Sequence, residues 1–360
     1  MKILMFGHKT IPSCLGGVEM AVGELSKHMA QKGHEVICCG RGGKRGIWQG
    51  VRLVPMPVLG KAGMDAVISS FLAALFSAFS DADVVHIHAE GPAFWCWIPK
   101  LAGKRVVVTT HGLDWQREKW QGSLAQRYIH WGEKMAVRFA DSIIVLSSNA
   151  QRYFRDTCSR ETVRIPNGVS EAEPIPAVEI TQQYGLEKDS YLLFLGRLVP
   201  EKGIHYLIEA FRDVSTEKKL VIAGGASGTE AYVDRLKEMA AGDDRIVFTG
   251  FADGILREEL YSNAWVYVLP TDLEGMPLSL LEAMAYGNCC LTSDIPECTE
   301  ATGNAGLYFP KGNVAQLRNI LKQLCCDPCM VVQYRERSKV WRKDQPGWDW
   351  VAERTLEQYR

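Results

Sequence analysis

Short runs of β-branched and apolar residues recur along the chain, each followed by a segment with helical spacing. In the first half they are Ile3–Phe6, Glu35–Cys39, Val84–His88, Arg105–Thr110 and Ser142–Leu146. The second half repeats the rhythm with Tyr191–Leu195, Leu220–Ala223, Arg245–Thr249, Trp265–Leu269 and Cys289–Thr292. Continuous apolar strands alternating with helices imply parallel sheets covered on both faces, because every parallel crossover lays a helix on the sheet. With 360 residues, 47% of them hydrophobic, the chain has material for two such bodies rather than one or three. The expected fold class is therefore α/β: two Rossmann-like, doubly wound parallel-sheet domains facing an interdomain cleft. Open α/β sheets bind ligands beyond the carboxyl ends of their strands, so the residues directly after strands are the ones to inspect.

Charge divides the chain as the strands do. Residues 1–168 carry 21 Lys and Arg against 13 Asp and Glu, net +8, and the remainder carries 20 against 29, net −9. A basic first half attracts an anionic partner, such as a phosphate-bearing substrate or a membrane surface. The alternative is attraction between the two halves themselves. The break follows Ile165-Pro166-Asn167-Gly168, and the acidic, proline-containing stretch Glu171–Pro176 has the composition of a linker. The domains expected are 1–168 and 169–347.

Eleven cysteines scattered through apolar strands fit reduced, cytosolic thiols better than a disulfide framework. Cys326-Asp327-Pro328-Cys329 has a metal-like spacing but no second pair to complete a zinc ribbon. Met1-Lys2 runs straight into a short strand, which is no signal-peptide core. The apolar stretch Ala66 to Phe79 falls short of the ~20 residues of a membrane span and reads as a helix in the core or at an interface.

After the first strand a long loop leads to Gly16-Gly17, where backbone N–H groups opening a helix attract a phosphate or sugar oxygen. A plain tight turn is the alternative there, and the lack of G-x-G-x-x-G argues against a dehydrogenase. The strand Arg105–Thr110 ends in His111-Gly112-Leu113-Asp114. A histidine at a strand terminus can hydrogen-bond a ligand hydroxyl, although a capping or core role accounts for many such residues. His86 and His88, two apart on one strand face, read as structural. After Tyr191–Leu195 come Gly196-Arg197 and, five residues on from the arginine, Lys202-Gly203, a guanidinium fork and an ammonium able to close on one anion.

The strongest local signal follows the strand at Trp265–Leu269. There Glu274-Gly275-Met276-Pro277-Leu278 leads into a helix carrying Glu282 and ended by Gly287. Pro277 suits the first turn, which places Glu282 about two turns inside. Carboxylates accept hydrogen bonds from sugar hydroxyls, and the free amides of Gly275 to Leu278 face any anion at the helix start. The order hydroxyl, phosphate, hydroxyl is that of a nucleotide sugar. An ordinary amphipathic helix is the competing account.

Taken together, Gly16-Gly17, His111-Gly112, Ile165-Pro166-Asn167-Gly168-Val169, Gly196-Arg197 to Lys202-Gly203, and two glutamates eight positions apart resemble the retaining glycosyltransferases of family 4, which have the GT-B fold. The resemblance covers essentially the whole chain. It implies that Trp348–Arg360 forms a C-terminal helix crossing back to the first domain, which binds the acceptor, while the second binds the nucleotide-sugar donor. It further implies that Arg197 and Lys202 hold the donor diphosphate, that Glu282 holds the ribose, and that Glu274 with the amides of Gly275 and Met276 holds the transferred sugar. His111 would contact that sugar near the reacting centre, with Asp114 on the acceptor side. Gly16 and Gly17 would border phosphate and acceptor, and Gly250 with Phe251 would frame the nucleobase. The phrase His111 to Lys119 looks like a subgroup linked to rhamnosyl and other polysaccharide-assembly transferases.

The expected reaction moves a hexose-type sugar from a nucleoside-diphosphate sugar to a polysaccharide or lipid-linked glycan, in the cytoplasm or at the inner face of the plasma membrane. Fixed cationic and amide groups would stabilise the leaving diphosphate, so neither metal nor other cofactor is expected. Asp81-Ala82-Asp83 imitates a metal-binding D-x-D but precedes a strand, away from the expected cleft, and reads as a surface turn. Retention through a covalent intermediate calls for a nucleophilic carboxylate; none stands out, and the resemblance favours front-face attack. A sugar-nucleotide 2-epimerase or a catalytically inactive nucleotide-sugar-binding subunit are the other readings. No nucleic-acid partner is expected.

Overall fold

The computed structural model describes every residue except Cys14, Leu15, Lys61, Glu118 and Lys119. Part of the first loop and the end of the His111-to-Lys119 phrase therefore lie outside the described residues. The chain separates into two compact units, Met1–Gly168 with Pro346–Arg360, and Val169–Gln345.

The first unit is built on an eight-stranded sheet: β1 (Lys2–Phe6), β2 (Glu35–Arg41), β3 (Gly46–Trp48), β4 (Val51–Met56), β5 (Val84–His88), β6 (Arg105–Thr110), β7 (Ser142–Val145) and β8 (Val163–Arg164). Their order is β3-β4-β2-β1-β5-β6-β7-β8, and every pairing is parallel except the β3–β4 hairpin. Leu4, Phe6, Val85, Ile87, Val106 and Val108 are fully buried, as strands sandwiched between helices must be. Because β1 pairs with both β2 and β5, the strand order reverses there, and the carboxyl ends of β1, β5 and β6 deliver His8, His88 and His111 to one edge of the sheet. Gly7 makes this edge tight. Its φ is +111°, and a Cβ on it would lie 2.0 Å from the carbonyl oxygen of His88, so only glycine fits. The amino end of β5 carries Asp81 and Asp83, paired with the side chain and backbone N–H of Lys2 respectively.

Helix Trp348–Glu357 belongs to this first unit and packs on helix Gly17–Gln31. Asp349 accepts from His28 at 2.9 Å, and Glu353 from Lys32 at 2.8 Å. Tyr359, just past the helix, is buried in the same unit.

The second unit has an all-parallel six-stranded sheet of β9 (Tyr191–Leu195), β10 (Lys219–Ala223), β11 (Ile246–Gly250), β12 (Val266–Leu269), β13 (Cys290–Ser293) and β14 (Leu307–Phe309), in the order β11-β10-β9-β12-β13-β14. Here β9 pairs with both β10 and β12, which sets the reversal between β9 and β12. Both sheets are the Rossmann-like parallel sheets expected. The stretch Glu171–Pro176 is part of this unit: Ile175 N–H donates to Ser262 Oγ at 3.0 Å, and Asn263 Nδ2 donates to the Ile175 carbonyl at 3.1 Å.

The ten described cysteines are free thiols. Burial pushes those of Cys38, Cys96 and Cys289 up to about 12. The apolar stretch forms helix Ala62–Phe79, and no helix among the described residues is long and apolar enough to cross a membrane.

Candidate active site

In the second unit the carboxyl ends of the neighbouring strands β9 and β12 carry the predicted donor residues. Gly196 follows β9 and donates its N–H to the Ala223 carbonyl at 3.0 Å, with half-buried Arg197 next to it. The chain then turns through the short 3-10 helix Pro200–Lys202. Gly203, at φ +66°, lets this turn press against the β12 loop, since a Cβ there would sit 1.9 Å from the Pro270 carbonyl oxygen. Thr271 Oγ1 and Asp272 N–H both donate to the Glu201 carbonyl, at 2.9 and 2.8 Å, fastening the two loops together.

This fastening brings Lys202 to Glu274. Their Nζ and Oε1 atoms lie 2.5 Å apart, and each side chain is 11% exposed. The residue expected on the diphosphate and the residue expected on the sugar are thus salt-bridged to one another. An anion arriving at Lys202 competes with that carboxylate, and a sugar hydroxyl arriving at Glu274 competes with that ammonium.

Downstream, the helix spans Leu278–Ala285 with Pro277 as its N-cap, one place earlier than expected, and has no side-chain cap. No described side chain caps its first amides, and Leu280 N–H turns back onto the Pro277 carbonyl at 3.1 Å. Tyr267 donates to Ser279 Oγ at 2.9 Å and pins the helix start to β12. Glu282 stands one turn inside rather than two, because the loop runs through Pro277 before the helix begins. Its carboxylate accepts from Tyr261 Oη at 3.0 Å and lies 3.6 Å from Arg257. Burial pushes the Glu282 carboxyl up, and Arg257 and the Tyr261 hydroxyl partly offset that rise. Gly250 ends β11 at φ +72°, and Phe251 beside it is 43% exposed. Arg197, Lys202, Glu274, Gly275, Met276, Pro277, Leu278 and Glu282 therefore follow two adjacent strands, β9 and β12, with Gly250 and Phe251 at the end of β11, on the far side of β10.

In the first unit, helix Gly17–Gln31 starts at Gly16, whose φ of −160° is ordinary extended backbone. Glu19 folds back over this start: a Cβ on Gly16 would lie 2.3 Å from Glu19 Oε2, and Glu19 Oε1 accepts from Lys9 N–H at 3.0 Å. The Glu19 carboxylate therefore sits beside Gly16, where the expectation puts a phosphate. Asp114 accepts from Arg117 Nε at 2.8 Å.

His111 is half-buried at the end of a row of imidazoles. His88 Nδ1 lies 3.2 Å from His111 Nε2, and the ring of His88 lies on that of His86 at a centroid distance of 4.1 Å. His86 is held at both nitrogens, 2.6 Å from Tyr359 Oη and 2.7 Å from Thr109 Oγ1. Loss of hydration moves these rings toward the neutral form: His111 and His8 are lowered to about 4 and His86 to about 3.

One acidic cluster escaped the sequence reading. Glu90, two residues past β5, is 1% exposed, and neither carboxyl oxygen has a hydrogen-bond partner among the described residues. Burial, with the nearby carboxylates of Asp114 and Glu133, pushes it well above the usual carboxylate range. Glu133 accepts from Trp115 Nε1 and Tyr153 Oη at 3.1 and 3.0 Å.

Residues 15–173 match the family model described as Glycosyltransferase Family 4, and residues 189–327 match the one described as Glycosyl transferases group 1. The chain is 26% identical to alpha-maltose-1-phosphate synthase of Mycobacterium tuberculosis, over 100% of this chain and 99% of that one. Among solved structures, sucrose-phosphate synthase from Thermosynechococcus elongatus superposes with a TM-score of 0.82 at 20% identity, covering 100% of this chain and 98% of its own. Anabaena Alr3699/HepE in complex with UDP and glucose superposes at 0.82 and 19% identity, covering 99% and 98%.

Proposed function

Because the chain belongs to the GT-B glycosyltransferases, with a Family 4 domain ahead of a group 1 domain, we propose that it is a retaining, metal-independent transferase. It moves a hexose-type sugar from a nucleoside-diphosphate sugar to a polysaccharide or lipid-linked glycan. The observation that carries this reading is the series along β9 and β12: Arg197, the Lys202–Glu274 pair, an uncapped helix start, and Glu282. A donor of sugar, diphosphate and nucleoside offers the complementary series of hydroxyls, anion and ribose. One solved protein of the same fold, Anabaena Alr3699/HepE, was crystallised with UDP and with UDP-glucose, which agrees with such a donor.

Departure of the diphosphate builds negative charge on its oxygens while the anomeric carbon becomes electron-poor. Arg197, Lys202 and the helix amides are fixed where that charge grows, and each well-placed donor contributes several kcal/mol of order. Glu274 orients the sugar, and His111 supplies a further contact near the reacting carbon. In front-face attack the leaving phosphate accepts the proton of the acceptor hydroxyl, which needs no protein base. The net charge of +8 over residues 1–168 supports an acceptor presented at an anionic membrane surface.

The test is to incubate the protein with a panel of nucleoside-diphosphate sugars, with and without glycan acceptors and with a chelator present. Acceptor-dependent release of nucleoside diphosphate, and a product whose anomeric configuration by NMR equals that of the donor, are expected. Inverted product or abolition by the chelator overturns the proposal, as does epimerisation of donor without acceptor.

A further inference from the structure

His111 is the candidate contact to the reacting sugar, and what it can do there depends on which ring nitrogen holds the proton. Burial keeps His88 and His111 neutral, so each ring has one N–H and one lone pair. The 3.2 Å contact between His88 Nδ1 and His111 Nε2 uses one of each.

Two arrangements satisfy that contact. In the first, His111 Nε2–H donates to His88 Nδ1, and the proton of His88 sits on Nε2. In the second, His88 Nδ1–H donates to His111 Nε2, and the proton of His111 sits on Nδ1. The surroundings of His88 decide between them. Its Nε2 is buried and has no hydrogen-bond partner among the described residues, so the first arrangement traps an N–H in the interior. Buried orphan N–H groups are the rarest kind of unsatisfied polar group, while an unused lone pair is better tolerated. The ring plane of His88 is held by His86, which lies against it and is itself clamped at both nitrogens by Thr109 and Tyr359.

We propose that His88 is a positioning residue: its Nδ1–H fixes His111 as the Nδ1–H tautomer, so that His111 meets the ligand as a hydrogen-bond donor to oxygen and not as a base. Nδ1 has no hydrogen-bond partner among the described residues, which leaves it for a sugar hydroxyl, a ring oxygen or a phosphoryl oxygen. This rests on the proposed role of His111 as a sugar contact. It also agrees with a reaction in which no side chain removes the acceptor's proton.

The experiment has a readout that does not depend on activity. Nitrogen-15 NMR of the histidine side chains, with the His111 signals assigned by loss in His111→Gln, is expected to show the proton of His111 on Nδ1. A proton on Nε2 overturns the proposal, whether or not any sugar nucleotide is turned over. Two variants then separate positioning from packing. His88→Asn keeps an N–H near the place of Nδ1, whereas His88→Phe keeps ring bulk and loses the donor. In folded variants, His88→Phe is expected to lower kcat/KM about tenfold, the worth of one such hydrogen bond, and His88→Asn to recover most of it. Equal activity of His88→Phe and the parent protein overturns the assignment. Absence of any turnover with the parent protein overturns the functional reading alone, and the nitrogen signals still decide the tautomer.

Discussion

Lys202 and Glu274 neutralise one another at 2.5 Å, from loops that follow two different strands of the second unit. Removing one partner leaves the other charge mostly buried and unpaired, which costs more than the pair contributes. Glu274→Ala is expected to lose about 2 kcal/mol of stability and to abolish transfer. The double variant Glu274→Ala with Lys202→Met is expected to regain most of the stability and none of the activity. Thermal unfolding and a donor-release assay check both. Additive losses in the double variant would sink the account of the pair.

Glu282 gives a pH-dependent expectation. Burial holds its folded pKa above the unfolded one, so the native state keeps the proton longer. Its contribution to stability is present at low pH and is lost as pH rises from the ordinary carboxylate value, about 4.3, through the folded value. Glu282→Gln should flatten the stability profile over that window and make the ligand-free protein more resistant to urea at neutral pH. It should also weaken nucleoside-diphosphate affinity by about tenfold, the worth of one charge-assisted hydrogen bond. Urea titrations across pH and calorimetry with nucleoside diphosphate measure the two effects, and an unchanged profile argues against the buried ionisation.

The histidine row carries the opposite sign. His8 and His111 are lowered to about 4 and His86 to about 3, so the unfolded chain binds protons first. Stability contributed by these neutral rings is present above the ordinary histidine value near 6.5 and falls as pH drops through that value toward 4. His86→Gln is expected to make the acid loss shallower by about one proton. Stability against pH below neutrality, measured with denaturant, reports the slope; identical slopes contradict the burial of a neutral ring.

Gly203→Ala tests the fastening of the two donor loops. The new methyl would meet the Pro270 carbonyl at 1.9 Å, in a backbone conformation at φ +66° that side chains disfavour. A loss of about 3 kcal/mol is expected, with donor affinity falling as Lys202 shifts. A melting temperature equal to that of the parent would show that the turn can move freely.

The parallel strands were legible because burial on both faces leaves uninterrupted apolar runs. Tyr191–Leu195, Val84–His88 and Arg105–Thr110 have the boundaries expected, and the other runs differ by one or two residues. Strands β3, β4, β8 and β14 were not: two or three residues carry no periodicity, and β4 includes Arg52 and Pro55. The candidate donor residues stood out because they directly follow strands. By the same rule Glu90, two residues past β5, was there to be found. What local pattern could not supply was partnership at a distance. His86 meets Tyr359 across 273 positions, and Lys202 meets Glu274 only because Gly203 allows two loops to touch.

The helix Trp348–Glu357 and Tyr359 join a unit whose other residues all precede Val169. During synthesis the second unit, one unbroken stretch, is made in full before the first has this piece. Until that piece is made, His86 lacks the Tyr359 hydroxyl that holds its Nδ1. A cut between Gln345 and Pro346 would part the first unit from the helix and from the tyrosine that holds His86, while every residue of the second unit stays on one piece.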